Sequence, residues 1–210
     1  EAGAFPGSAV GAGAQGMFTS YKIDNVLIDG YDVVVNKPKS AAYRSPGTPQ
    51  ACFASECVMD ELAEQLGMDP LELRIKNAAG EGDRRADGVQ HPSMGNLECM
   101  ERLMASDHYK SDLGGPNRGR GVASGYWGNA GMPASCSISI NPDGTVGLAE
   151  GSPDIGGSRV AIAMMAAEAL GIAAEDVHPS IKDTDSIGYN GLTAGSSTTL
   201  RNGWAVFEVT

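Results

Sequence analysis

Residues able to do chemistry cluster in three short stretches. In Ala42-Tyr43-Arg44-Ser45-Pro46-Gly47-Thr48-Pro49-Gln50 a guanidinium arrives at the start of a long amphipathic segment, on a loop bent by Gly47 and two prolines. Pro46 and Pro49 fix φ near the helical value and lack donors, while Gly47 permits a backbone that a side chain would forbid. Such a loop can present backbone N–H groups to an anion. The second stretch, Gly156-Gly157-Ser158, is a glycine-led approach to a helix, and the unpaired first N–H groups of a helix make an anion site. The third runs from Thr193 to Thr199, where Gly195, Ser196, Ser197 and Thr198 offer hydroxyl and backbone donors that could wrap a phosphate or a polar heterocycle. Taken alone, Arg44 reads as a solvated surface charge, and the glycine pair as a tight strand-to-helix turn.

The elements that must position these stretches follow from pattern. Gln50 to Leu66 reads as a helix with Phe53, Cys57, Leu62 and Leu66 on one buried stripe, stopped by Gly67. Asp69-Pro70 is a helix start, with Asp as N-cap and Pro in the first position, followed by the apolar Leu71, Leu73 and Ile75. Residues 23–35 alternate like strands about the Asp29-Gly30 turn, residues 80–88 read as a loop, and a short helix is expected near Leu97 to Ala105. Cys136, Ile138 and Ile140, then Asn141-Pro142-Asp143-Gly144, then Val146 and Leu148 spell a β-hairpin. An Ala- and Met-rich helix ending near Leu170-Gly171 follows, and Asn202 is taken to open a last helix. The fold class is α/β (α+β), with mixed sheets and flanking helices. Gly114-Gly115-Pro116-Asn117 marks a boundary between residues 1–115, with the bent loop, and residues 116–210, with the hairpin and the glycine-led helix.

Composition narrows the function classes. The 210 residues are 41% hydrophobic, enough for a substantial core, and a net charge of −11 without any basic run argues against a nucleic-acid partner. No apolar run approaches the length of a membrane span, and Glu1-Ala2-Gly3 lacks the character of a signal peptide. A cytoplasmic location is expected, with the periplasm left open. Cys52, Cys57, Cys99 and Cys136 form no CxxC pair and no regular spacing with His91, His108 or His178, so no metal ligand set is assigned. They read as small packing residues. Gly11 to Gly16 matches GxGxxG, but it neither follows a convincing strand nor begins a strong helix, so dinucleotide binding is not assigned to it.

The bent loop, with Glu56, Met59 to Ala63 and Gly67 to Asn77, resembles the large subunit of the molybdenum hydroxylases. That superfamily comprises xanthine dehydrogenase, aldehyde oxidase and carbon monoxide dehydrogenase. Gly151 to Ser158, Ala166 to Ile172 and Asp183-Thr184-Asp185 resemble it too, as do Thr193 to Thr199 with Asn202-Gly203 and Ala205-Val206, in matching order and spacing. The resemblance implies a molybdopterin-binding fold. The cofactor would be molybdopterin with molybdenum, in the cytosine dinucleotide form, with iron–sulfur and flavin groups only on partner subunits. It implies contacts to the pterin and its phosphate from Gly156, Gly157, Ser158, Gly195, Ser196, Ser197 and Thr198, and an active-site loop near molybdenum at Arg44 and Ser45. The reaction implied is hydroxylation of an aldehyde or aromatic N-heterocycle with water-derived oxygen, by an oligomer in the full-length form.

Departures from the family pattern refine that expectation. Gly157 stands where many members carry glutamine, which removes an amide donor and leaves the backbone N–H. Ser45 stands where carbon monoxide dehydrogenases carry a copper-binding cysteine. A hydroxyl is a poor ligand for soft copper(I), so carbon monoxide oxidation is disfavoured. Pro46 stands where purine-oxidising relatives often carry a stacking phenylalanine, which weakens a xanthine assignment. The family's catalytic glutamate lies downstream, and both ends of the chain read as cut, so a fragment that is inactive alone is expected. Glu56 and Glu168 read as structural, and the family pattern makes Asp183 and Asp185 a strand-end loop. The alternative is a non-catalytic phosphate-ligand-binding or subunit-interaction module on the same scaffold.

Overall fold

The computed structural model describes residues 1–4, 6–129 and 131–210. The chain forms two compact units, Glu1–Trp127 and Gly128–Thr210. The division lies beyond the boundary expected at 115/116. Residues 116–127 stay with the first unit because the Ser124 N–H donates to Glu56 Oε2 at 2.8 Å and Tyr126 packs edge-on against His91.

The first unit is helical: α1 Val10–Gly16, α2 Thr48–Leu66, α3 Pro70–Lys76, α4 Asn96–Ala105 and α5 Asp107–Lys110. At the head of α3 the Asp69 carboxylate accepts from the Leu71 and Glu72 N–H groups, the capping that its sequence predicts. The face of α2 is another matter. Its buried residues are Thr48, Ala51, Ser55, Glu56, Met59 and Ala63, while Phe53 is 74% exposed and Leu62 and Leu66 also face out. A buried ion network selects that face. Arg74, fully buried, donates from Nε to Glu56 Oε2 at 2.8 Å and pairs with Asp60, and the Tyr21 hydroxyl donates to Glu56 Oε1. Breaking such a network costs about 3–5 kcal/mol, since it strands a buried charge. Glu56 is therefore structural. Cys57 and Cys99 are exposed rather than packed; in α4 the buried residue is Met100. Residues 23–35 form no strand among the described residues, and Val34 makes only an isolated bridge to Gly3.

The second unit holds a mixed three-stranded sheet in the order β1 Cys136–Ile140, β2 Val146–Glu150, β3 Val177–Ile181. β1 and β2 are the expected hairpin, antiparallel with Cys136 opposite Glu150. β3 lies parallel to β2, Val146 opposite Val177, and is reached through α6 Ser158–Leu170. Val146 and Leu148 face Ile162, Ala163, Ala166 and Ala167 of α6 and Val206 of α7 Thr198–Val209, forming one apolar core. Burying a side chain the size of Leu148 or Ile162 contributes about 1.5–3 kcal/mol. Gly203 lets α7 approach α6 closely, next to the Met165 sulfur. Asn202 does not open α7: it lies inside it, fully buried, donating to the Thr198 carbonyl at 2.9 Å. Ser197 is the N-cap position.

Candidate functional site

Arg44 and Ser45 lie in the first unit, and the seven glycine, serine and threonine residues in the second. Arg44 is exposed. Ser45 has a left-handed φ of 52°, and its carbonyl accepts from the Thr48 N–H at 2.9 Å, closing the turn that starts α2. Gly47 and Gln50 line a cleft of about 410 Å³ together with Ser8, Ala14 and Tyr31.

In the second unit, β2 ends in a loop that leads to the head of α6. Gly156 and Gly157 have φ of 63° and 84°, and a methyl group added at either would meet no atom within 4 Å. Side chains at the end of β2 and in this loop bond to its backbone. Fully buried Glu150 accepts from the Ser152 N–H at 2.8 Å and from its hydroxyl. Asp154 Oδ1 accepts from the Arg159 N–H at 3.1 Å and the Ser158 hydroxyl at 3.4 Å, and its other oxygen lies 3.6 Å from Arg159 Nε. Ser158 is buried and thus holds the loop, leaving backbone N–H groups as donors at the helix head.

The stretch before α7 turns through Gly195 and Ser196, with φ of 64° and 55°. The buried Ser197 hydroxyl donates to the Ala194 carbonyl at 3.1 Å, whereas Ser196 is exposed and Thr198 half-buried. Thr193 Oγ1 is buried and has no partner. Ser197 and Arg201 line a cavity of about 730 Å³ with Met132, Ser135, Cys136 and Trp204. Burial, and then the Glu150 charge, push the Cys136 thiol up, which suits neither a nucleophile nor a metal ligand. No group of three or more His, Cys, Asp or Glu suited to a metal ion occurs among the described residues.

Residues 2–78 and 98–210 each match a molybdopterin cofactor-binding domain. The chain belongs to the molybdopterin cofactor-binding family of the molybdenum hydroxylases. It is 34% identical over 208 residues to the aldehyde oxidoreductase of Megalodesulfovibrio gigas, covering 92% of this chain and 23% of that protein. Against the xanthine dehydrogenase molybdenum-binding subunit of Escherichia coli it is 34% identical over 165 residues, covering 71% and 22%. Its fold matches the crystal structure of the aldehyde oxidoreductase from Desulfovibrio desulfuricans with a TM-score of 0.75 and 31% identity, over 95% of this chain and 24% of that one. The chain thus spans less than a quarter of the length of these relatives.

The second unit fits an anionic, heteroatom-rich cofactor. Two adjacent glycines leave open space at a helix head, and an unpartnered buried hydroxyl, that of Thr193, lies in the stretch before α7 in the same unit. Two residues escaped the sequence reading. Asp154 is visible as an acid four residues before a helix start, and Arg201 as a cation one turn after Ser197, but neither betrays its partners without the fold.

Proposed function

We propose that this chain supplies part of the cofactor cradle of an oxidoreductase that hydroxylates an aldehyde or an aromatic N-heterocycle. The observation that carries this reading is the open glycine pair at the head of α6, in the same unit as the hydroxyl loop before α7. Gly156, Gly157 and Ser158 donate backbone N–H groups to the cofactor phosphate, aided by the positive end of α6. Gly195, Ser196, Ser197 and Thr198 hold the pterin, with Ser197 acting through its backbone because its hydroxyl is committed to Ala194. Arg44 and Ser45 form the loop near the metal. The cofactor is molybdopterin cytosine dinucleotide with molybdenum, and iron–sulfur and FAD subunits take the electrons in an oligomeric, cytoplasmic enzyme.

When bound, the cofactor supplies a two-electron oxidation in which a C–H bond and water give C–OH, two protons and two electrons. Substrate class rests on the relatives, an aldehyde oxidoreductase and a xanthine dehydrogenase subunit. Ser45 offers no thiolate for copper, which speaks against carbon monoxide. Glu56 is locked in its ion network and is not the general base.

The alternative, a non-catalytic phosphate-ligand or subunit-interaction module, draws on Asp154. Its carboxylate takes one N–H of the α6 head, where a bound phosphate would compete with it. Metal analysis and fluorescence of released pterin decide between the two, on the full natural polypeptide made in a host that synthesises the dinucleotide cofactor. Molybdenum and pterin in stoichiometric amounts are expected; their joint absence refutes the cofactor reading. Gly156→Val should abolish loading with an unchanged circular dichroism spectrum, and a fully loaded variant would refute the assigned anion site.

A further inference from the structure

Arg201 is 6% exposed, and its ion-pair partners among the described residues are none. It sits one turn into α7, its N–H donating to the Ser197 carbonyl at 2.8 Å. A buried cation there opposes the positive end of the helix and gains nothing from a carboxylate, so it is an expensive way to fill space. Its guanidinium is spent on backbone instead. Nη2 donates to the Gly191 carbonyl at 2.5 Å and Nη1 to the Leu192 carbonyl at 2.9 Å, with Met132 Sδ at 3.2 Å, while Nε is buried without a partner.

These bonds strap together the two ends of residues 193–200. The backbone of Gly191 comes so near that a methyl group there would lie 2.8 Å from Nη1. Between the strapped ends lie the left-handed Gly195 and Ser196 and the unpartnered Thr193 hydroxyl. Arginine suits this task because its rigid planar fork meets two successive carbonyls at once.

We infer that Arg201 is a positioning residue: it fixes the hydroxyl loop in its cofactor-receiving shape and adds positive charge at the end of α7 where an anion is received. This rests on the proposed cofactor role of Gly195 to Thr198. Arg201 touches no substrate in this scheme. Its effect reaches the cofactor through Gly191 and Leu192, as the outer partners of metal ligands act through the ligands they orient.

The test compares Arg201→Met, Arg201→Lys and Gly191→Ala with the unaltered full polypeptide. Two quantities are read: pterin per polypeptide, and the thermal midpoint of the cofactor-free protein. Arg201→Met should lower pterin content about tenfold or more, while the cofactor-free protein stays folded with its midpoint lowered only slightly, by the Gly191 and Leu192 carbonyls left without their donor. Arg201→Lys should restore part of the loading. Gly191→Ala should lower loading with the charge intact, since its methyl group displaces the guanidinium. If the Met variant fails to fold, the Lys and Gly191 variants carry the same comparison. Unchanged pterin in the variants overturns the inference, as does a cofactor-free midpoint that falls in step with loading in all of them. Absence of pterin from the unaltered protein overturns the cofactor reading itself, and this inference with it.

Discussion

Gly47 and Gly157 occupy the same place in two helices. Each is the N-cap residue, with φ of 82° and 84°, and as a glycine neither offers its helix a side-chain cap of its own. What surrounds them differs. A methyl group at Gly47 would lie 2.3 Å from the Ala9 carbonyl oxygen and 2.9 Å from the Gly13 nitrogen, whereas at Gly157 it would meet nothing within 4 Å. At the head of α2 the chain has used the missing side chain for its own close packing, α1 against α2. At the head of α6 the glycine is exposed and the space beside it is open. A glycine at a helix head thus has two meanings, which the space around it tells apart.

The largest effect that would sharpen this contrast is expected from Gly47→Ala. The left-handed backbone and the backbone clash together should cost about 3 kcal/mol or more. Urea unfolding measures it, and a loss under about 1 kcal/mol would mean that α1 yields easily and that Gly47 is as open as Gly157. The next effect tests whether the first unit is held by its buried ions. Burial and then the Glu56 carboxylate push the Tyr21 phenol well up, so the folded chain keeps its proton where the unfolded chain releases it, near pH 10. That contribution is fully present below this pH and is lost as the pH rises above it. Stability should fall by up to about 1.4 kcal/mol per pH unit in that range, and Tyr21→Phe should flatten the slope. An equal slope in both proteins would show that Tyr21 is not the titrating group. The smallest effect belongs to Gly157→Ala, about 1 kcal/mol from backbone strain alone, accompanied by reduced pterin. A cost matching that of Gly47→Ala would erase the distinction between the two glycines.

Local signals were legible from residue order. Asp69-Pro70 and Asn141-Pro142-Asp143-Gly144 act on neighbours within a turn, and both the α3 head and the β1–β2 hairpin form as read. The glycine and hydroxyl stretches do stand at the heads of α6 and α7, for the same reason. Long-range choices were hidden. Phe53, Leu62 and Leu66 suggest one face of α2, but the bond between Arg74 and Glu56 turns another inward, and no spacing within α2 encodes it. The alternation in residues 23–35 promises strands, yet a strand needs a partner, and there only the one isolated bridge of Val34 to Gly3 forms. Asn202 looks like a helix cap because asparagine favours that role, while its amide is spent inside α7 on the Thr198 carbonyl.

The parallel pairing of β2 with β3 also sets an order of assembly. β1 and β2 meet across the few residues of the Asn141–Thr145 turn, so their zippering is local and fast. β3 can join only after the whole segment 151–176 has been drawn into a closed loop, a step that spends chain entropy before any contact rewards it. The open glycines at the head of α6 lie inside that late-closing segment. Protection of the hairpin amides should therefore precede that of Val177–Ile181 in pulse-labelled hydrogen exchange, and the reverse order would contradict this sequence of events. The hairpin would then be in place while α6, with Gly156 and Gly157 at its head, is still being drawn against the sheet.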